Sequence, residues 1–167
     1  MTEEIKTEEA VQTDEQPENI IRNHVLGSMG VGLIPMPLVD LVALTGVQLN
    51  LLRKLAKKYN VPFSQDKGKN VLAALLGSGL PVSISGAVAS LIKSIPLIGQ
   101  TTGAITMSVL GGATTYAVGK VFEQHFASGG TFLNFDPEAV KDYYAKMFKE
   151  GEKVAEELKK KEDQKVK

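Results

Sequence analysis

Gly68 and Lys69 stand side by side, and a glycine–lysine pair closes a phosphate-binding loop when Ser or Thr follows and another Gly lies five residues earlier. Here Asn70 follows, and Phe63 occupies the earlier position, so the backbone cradle for a phosphate is missing. No G-x-S-x-G turn exists to raise a nucleophilic serine. His24 and His125 stand alone, without the helix-spaced His, Cys or carboxylate partners that a metal site needs. They are expected as ordinary polar residues at helix edges. The chain has no cysteine, which removes thiol chemistry and disulfides. The expectation is a protein that is not an enzyme and that holds no cofactor or metal.

Two further residues are singled out by their isolation. Asp40 is the one charge between Val25 and Leu52, and Lys93 is the one charge in the fifty positions from Asn70 to Gly119. Each has a simple explanation: Asp40 complements the dipole of a helix starting at Pro37, and Lys93 snorkels to a surface. The sharper expectation is that Asp40 and Lys93 pair, because a buried charge strongly wants a partner.

The elements that would carry these residues are helices. Residues 1–17 are acidic and poor in apolar side chains, which predicts disorder up to Pro17. A first helix is expected over about 18–33, ended by Ile34-Pro35-Met36-Pro37. Pro37 suits the first turn of a second helix running to about Tyr59, with Asn60 as its stop. Ser64 caps a third, about 65–77, broken at Gly77-Ser78-Gly79-Leu80-Pro81. A fourth, about 81–94, ends at Ile95-Pro96, and a fifth runs about 98–127 to Gly129-Gly130. Asp136-Pro137 should open an amphipathic sixth, with Phe135 stapled onto Val140 and a charged tail over 161–167. Nothing alternates with period two, so the fold class is all-α. The matching of Ile34-Pro35 with Ile95-Pro96, and of Thr45, Leu49 and Ala56 with Thr106, Leu110 and Ala117, suggests a repeat. The architecture is then two helical hairpins tipped by Pro35, Pro37 and Pro96, a connecting helix and the C-terminal helix.

Small residues mark where helices approach. Gly99, Gly103, Gly111 and Gly119 share one i+4n ridge, and Ala104, Ser108 and Gly112 the next. Gly86, Ser90 and Ser94 form another on the fourth helix. Such rows let backbones come close, and they serve association in lipid or a tight αα-hairpin in water.

Soluble domains rarely leave fifty positions almost uncharged, so the pattern points to lipid contact or to an unusually complete burial of helices against one another. The proline-broken runs are shorter than the roughly twenty residues a spanning helix needs, which suits a wedge that dips in and returns. Lys and Arg balance Asp and Glu, which excludes the general basic field of a nucleic-acid binder. The charges are segregated, however: Arg53, Lys54, Lys57, Lys58, Lys67 and Lys69 cluster against Asp66 alone. These six are candidates for anionic lipid headgroups, at about 1 kcal/mol each. The acidic beginning of the chain shows no secretory signal, so a cytoplasmic start is expected.

Ile21-Arg22-Asn23-His24-Val25-Leu26, then GLIPMPLVDLVALTGVQLNLLRKLAKKYNVPFS, SLIKSIPLIG and SGGTFLNFDP occur in order. Over about residues 18–160 this chain closely resembles the bacterial DUF697 family, also found at the C-terminal end of YcjF-like proteins and of some Era-like GTPases. The resemblance implies a membrane-associated helical module and a GTPase partner in trans. It supplies no catalytic residues. The function expected is an interaction or scaffolding element at the cytoplasmic face of the membrane, in contact with lipids and self-assembling or serving a GTPase. An oligomeric pore or transport component and a soluble adaptor bundle are the alternatives.

Overall fold

The computed structural model describes residues 15–33, 37–79 and 100–166, with side chains throughout except at 37–41, 78–79 and 100–106. Five helices make up this part: α1 (Pro17–Val31), α2 (Pro37–Lys58), α3 (Gln65–Gly79), α4 (Gln100–Ala127) and α5 (Lys141–Lys165). The fold is all-α, and among the described residues no strand forms. The expected helix over 81–94, the Pro96 tip and Pro35 lie outside the described residues, as do residues 1–14 of the acidic segment.

α4 is the central element, in contact with α1, α2 and α5. Its 28 residues extend about 42 Å at 1.5 Å per residue. α1 runs antiparallel to it: Met29 lies by Ser108 and Gly112, Ser28 by Gly111 and Ile21 by Gly119. α2 runs parallel to it, with Leu44 by Gly111, Gln48 by Thr115 and Tyr59 by Phe126. α1 and α2 therefore form the expected antiparallel hairpin.

Local chemistry sets most boundaries. Pro17 opens α1 at a position where its missing N–H costs nothing. Asn60 ends α2 in the left-handed conformation (φ 55°), with Val61 N–H bonded to the Ala56 carbonyl at 2.8 Å. Gly129 (φ 85°) ends α4 in the same way, with Gly130 N–H on the His125 carbonyl at 2.9 Å.

Three expectations need correction. α3 continues through Gly77 to Gly79, two residues past its expected end, because a glycine near a helix end costs only about 1 kcal/mol. α5 begins at Lys141, and Asp136 does not cap it: its Oδ1 accepts from Glu138 N–H at 3.0 Å in a local turn. The cause lies in Phe135, whose ring stacks on Phe122 with centroids 4.6 Å apart, while Phe132 packs edge-on to Phe126 and Phe63. The chain must cross the end of the bundle to seat these rings before α5 can start. Finally, α5 stays helical through Lys165, past the start of the expected tail. Tyr144, Met147, Phe148 and Leu158 of α5 join Leu51, Leu52, Leu55, Val118 and Phe122 in one core.

Candidate functional site

The bundle has two chemically different ends. At one end α1 passes to α2 and α4 begins. Leu33 and Val42 project there, with 54% and 76% of their surfaces exposed. Both lie in the stretch from Val25 to Leu52, whose one charge is Asp40. Among the described residues no helix is long and apolar enough to cross a membrane.

The opposite end carries the basic cluster. Arg53 and Lys57 are exposed and Lys54 and Lys58 half-buried, on the side of α2 away from Leu51, Leu52, Leu55 and Ala56. Lys67 and Lys69 are exposed on α3. Arg53 lies nine residues beyond Leu44 and Lys58 fourteen, about 14 and 21 Å further along the helix. That separation exceeds the roughly 8 Å over which charge is felt at physiological salt. The exposed apolar end and the basic stripe are thus different surfaces of the molecule.

Between the ends runs a buried polar seam that joins three helices. Gln48 of α2 donates to Thr115 Oγ1 of α4 at 3.4 Å. The Thr115 and Ser28 hydroxyls are 2.6 Å apart, and Ser28 donates to the His24 carbonyl at 2.9 Å. Because the Ser28 proton is used on that carbonyl, Thr115 must donate to Ser28. Ser28, Gln48 and Thr115 are almost wholly inaccessible. Ser108 of α4 adds a bond to the Met29 carbonyl at 2.8 Å.

A second branch has equally definite direction. His24 is buried, not at a helix edge as expected. Its Nδ1 lies 2.7 Å from the Ile20 carbonyl, which can only accept, so Nδ1 carries the proton. Nε2 then accepts from Asn50 Nδ2 at 3.3 Å, and Asn50 Oδ1 accepts from Arg53 at 2.9 Å. Burial pushes the His24 pKa below its ordinary 6.5, and Lys54 pushes the same way, against the opposing Ile20 carbonyl and Glu15. His125 donates to the Thr131 carbonyl at 2.8 Å and so braces the loop after α4.

The glycines report where backbones meet. A Cβ at Gly111 would stand 3.2 Å from the Ser28 carbonyl oxygen, and one at Gly119 would stand 2.8 Å from the Ile21 side chain. These surfaces are occupied within the chain, so they are not available to a second copy. Two close approaches escaped the sequence reasoning. A Cβ at Gly32 would stand 2.8 Å from the Ser108 backbone, and one at Gly151 of α5 would stand 2.9 Å from the Ala113 carbonyl oxygen. Gly103 lies in α4, but its surroundings, like Gly86, Ser90, Ser94, Lys93 and the Asp40 side chain, fall outside the described residues. The structure therefore says nothing of an Asp40–Lys93 pair.

A cleft of about 250 Å³ opens between α1, α4 and α5, lined by Glu18, Arg22, Lys120, Glu157 and Lys161 among others. Its acids and bases compensate one another, which gives it no single-sign field for a ligand. Nearby, Tyr116 donates to Glu150 at 2.6 Å and Lys120 pairs with Glu123 at 2.9 Å.

Some residues of the seam and of the aromatic end lie within the ordered motifs noted in the sequence: His24 in the first, Gln48 and Asn50 in the second, Phe132 and Phe135 in the last, whereas Ser28, Thr115 and Phe122 lie outside them. A family model, the DUF697 domain of unknown function, matches residues 1–153, and the chain belongs to that family. It is also 36% identical over 154 residues to "Magnetosome membrane protein 22" of Magnetospirillum gryphiswaldense, a match covering 92% of this chain and 79% of that protein. No solved structure matches the chain.

Proposed function

We propose that this protein is a membrane-associated helical module that acts by binding, not by catalysis, at the cytoplasmic face of a bilayer. The observation that carries the proposal is the exposed apolar end: Leu33 and Val42 project from a stretch that holds one charge, Asp40, between Val25 and Leu52. An isolated exposed Leu is ordinary, but two exposed apolar residues flanking a single charge, on a bundle whose outer helix is dense in Lys and Glu, are not. The relative named a magnetosome membrane protein supports the same reading. The uncharged end dips into the leaflet as a wedge, and α5 with the basic stripe remains in water. The module thereby presents a rigid surface to a protein partner, and the family resemblance suggests a GTPase acting in trans. Self-assembly, where it occurs, uses a surface other than the Gly111 and Gly119 contacts.

Detergent-free fractionation of cells expressing the full chain tests this. Recovery with membranes is expected, and Leu33→Glu with Val42→Glu should release the chain. Quantitative recovery of the unaltered chain as a monodisperse soluble species would refute the proposal.

A further inference from the structure

The acidic segment that precedes α1 enters the bundle at the end that carries the basic stripe of α2. Glu15 is tied to α1 through Asn23, whose Nδ2 donates to its carboxylate at 2.9 Å. One residue on, His24 reaches across to Asn50, and Asn50 to Arg53. Glu15 and Lys54 both act electrostatically on the His24 ring, from opposite sides of the charge balance. The root of the segment and the start of the stripe are thus joined through two adjacent residues of α1, Asn23 and His24.

Residues 1–14 hold Glu3, Glu4, Glu8, Glu9 and Asp14 against Lys6. Fourteen residues reach up to about 50 Å when extended, whereas Arg53 to Lys58 covers only about 7.5 Å of helix. A tether this short keeps the acids at an effective concentration of about millimolar beside the stripe. We infer that Arg53, Lys54 and Lys57 form a docking surface for the acidic segment 1–14 of the same chain. The other lysine-rich region, α5, does not compete well: its eight Lys residues between 141 and 165 are interleaved with seven acids. Single exposed ion pairs are weak and screened by salt, so the docked segment is held by several at once and is released easily. Docked, it neutralises the stripe and keeps other anionic surfaces away from it.

The natural chain lacks cysteine, so Thr7→Cys carries a single nitroxide label on the full-length protein. Paramagnetic broadening of the backbone amides is read with the label oxidised and reduced. Broadening centred on residues 53–58 is expected, with loss in about 1 M salt, where the Debye length is about 3 Å. The same loss is expected when Glu3, Glu4, Glu8 and Glu9 are all changed to Gln, a change outside the helical bundle, with an unaltered amide spectrum of the core as the folding control. Absence of broadening at 53–58, or broadening centred on α5, would overturn the inference. So would a stripe that responds to phosphatidylglycerol-containing vesicles and never to the label, which would make it a lipid surface.

Discussion

Ser28 and Thr115 are 87 residues apart in sequence and share a 2.6 Å hydrogen bond in the middle of the bundle. Through them a one-way series of donors runs from Gln48 on α2, across α4, to the His24 carbonyl on α1. Thr115→Val keeps the shape but leaves Gln48 without an acceptor and Ser28 without a donor. A loss of about 1–3 kcal/mol in unfolding free energy is expected. Ser28→Ala with Thr115→Val should couple by at least about 0.5 kcal/mol in a double-mutant cycle on chemical denaturation, and additive effects would argue against a connected seam.

His24 gives the protein a pH dependence of definite sign. Its folded pKa lies below 6.5, so in mildly acid solution the unfolded chain binds the proton more readily. The contribution is therefore complete above pH 6.5 and is lost as pH falls below it, toward the folded pKa. Protonation would also turn Nε2 into a donor facing the Asn50 amide, which cannot turn around without facing Arg53 with a donor. Thermal melting between about pH 7.5 and about pH 5.5 should show a steeper loss in the natural chain than in His24→Gln. Parallel curves would exclude His24 as the source.

Close backbone contact makes some glycines irreplaceable and others not. Gly151→Ala should destabilise by about 1–3 kcal/mol, because its Cβ would meet the Ala113 backbone. Gly111→Leu should be worse than Met107→Leu, which roughly conserves volume. Gly77 has open space around it in a helix, so Gly77→Ala should be neutral or stabilising by up to about 1 kcal/mol. Equal melting temperatures for the Gly151 and Gly77 variants would contradict this account of the packing.

Much of the fold was legible because helices announce their ends. Asn60 and Gly129 adopt the left-handed conformation that stops α2 and α4, and Pro37 opens α2. The start of α5 was misread because Asp136-Pro137 carries a local cap signal that a long-range event overrides: Phe135 stacks on Phe122, which no sequence window around either residue shows. The seam was missed for the same reason. Gln48, Ser28 and Thr115 each look like a stray polar residue on an apolar stripe, and only packing brings them together. A legible hint existed, since Gln48 lies four residues from both Leu44 and Leu52. Gly151 and Ala155 have the four-residue spacing of a close helix contact, a signal passed over because the helix around them is so charged; the partner, Ala113, is visible only in the tertiary structure.

Tyr144 is fully buried, and its hydroxyl has no hydrogen-bond partner among the described residues. Burial raises its pKa well above 10, although Thr114 close by draws it slightly the other way. Thr114 uses its own hydroxyl on the Leu110 carbonyl at 2.8 Å. Tyr144→Phe removes the orphaned group and should raise stability by about 1 kcal/mol in denaturant unfolding. A loss of stability would mean that the hydroxyl is satisfied in solution.

The most direct test of the central claim uses the absence of tryptophan from the chain. Val42→Trp and Lys57→Trp each introduce one indole, at the exposed apolar end and on the basic stripe respectively. Each variant is mixed with vesicles whose lipids carry bromine on their acyl chains. The account predicts that the emission of the Val42→Trp variant shifts to the blue and is quenched, while that of Lys57→Trp is unchanged. Emission from Val42→Trp that stays at its aqueous position with vesicles present, or quenching confined to Lys57→Trp, would contradict insertion of this end into the bilayer.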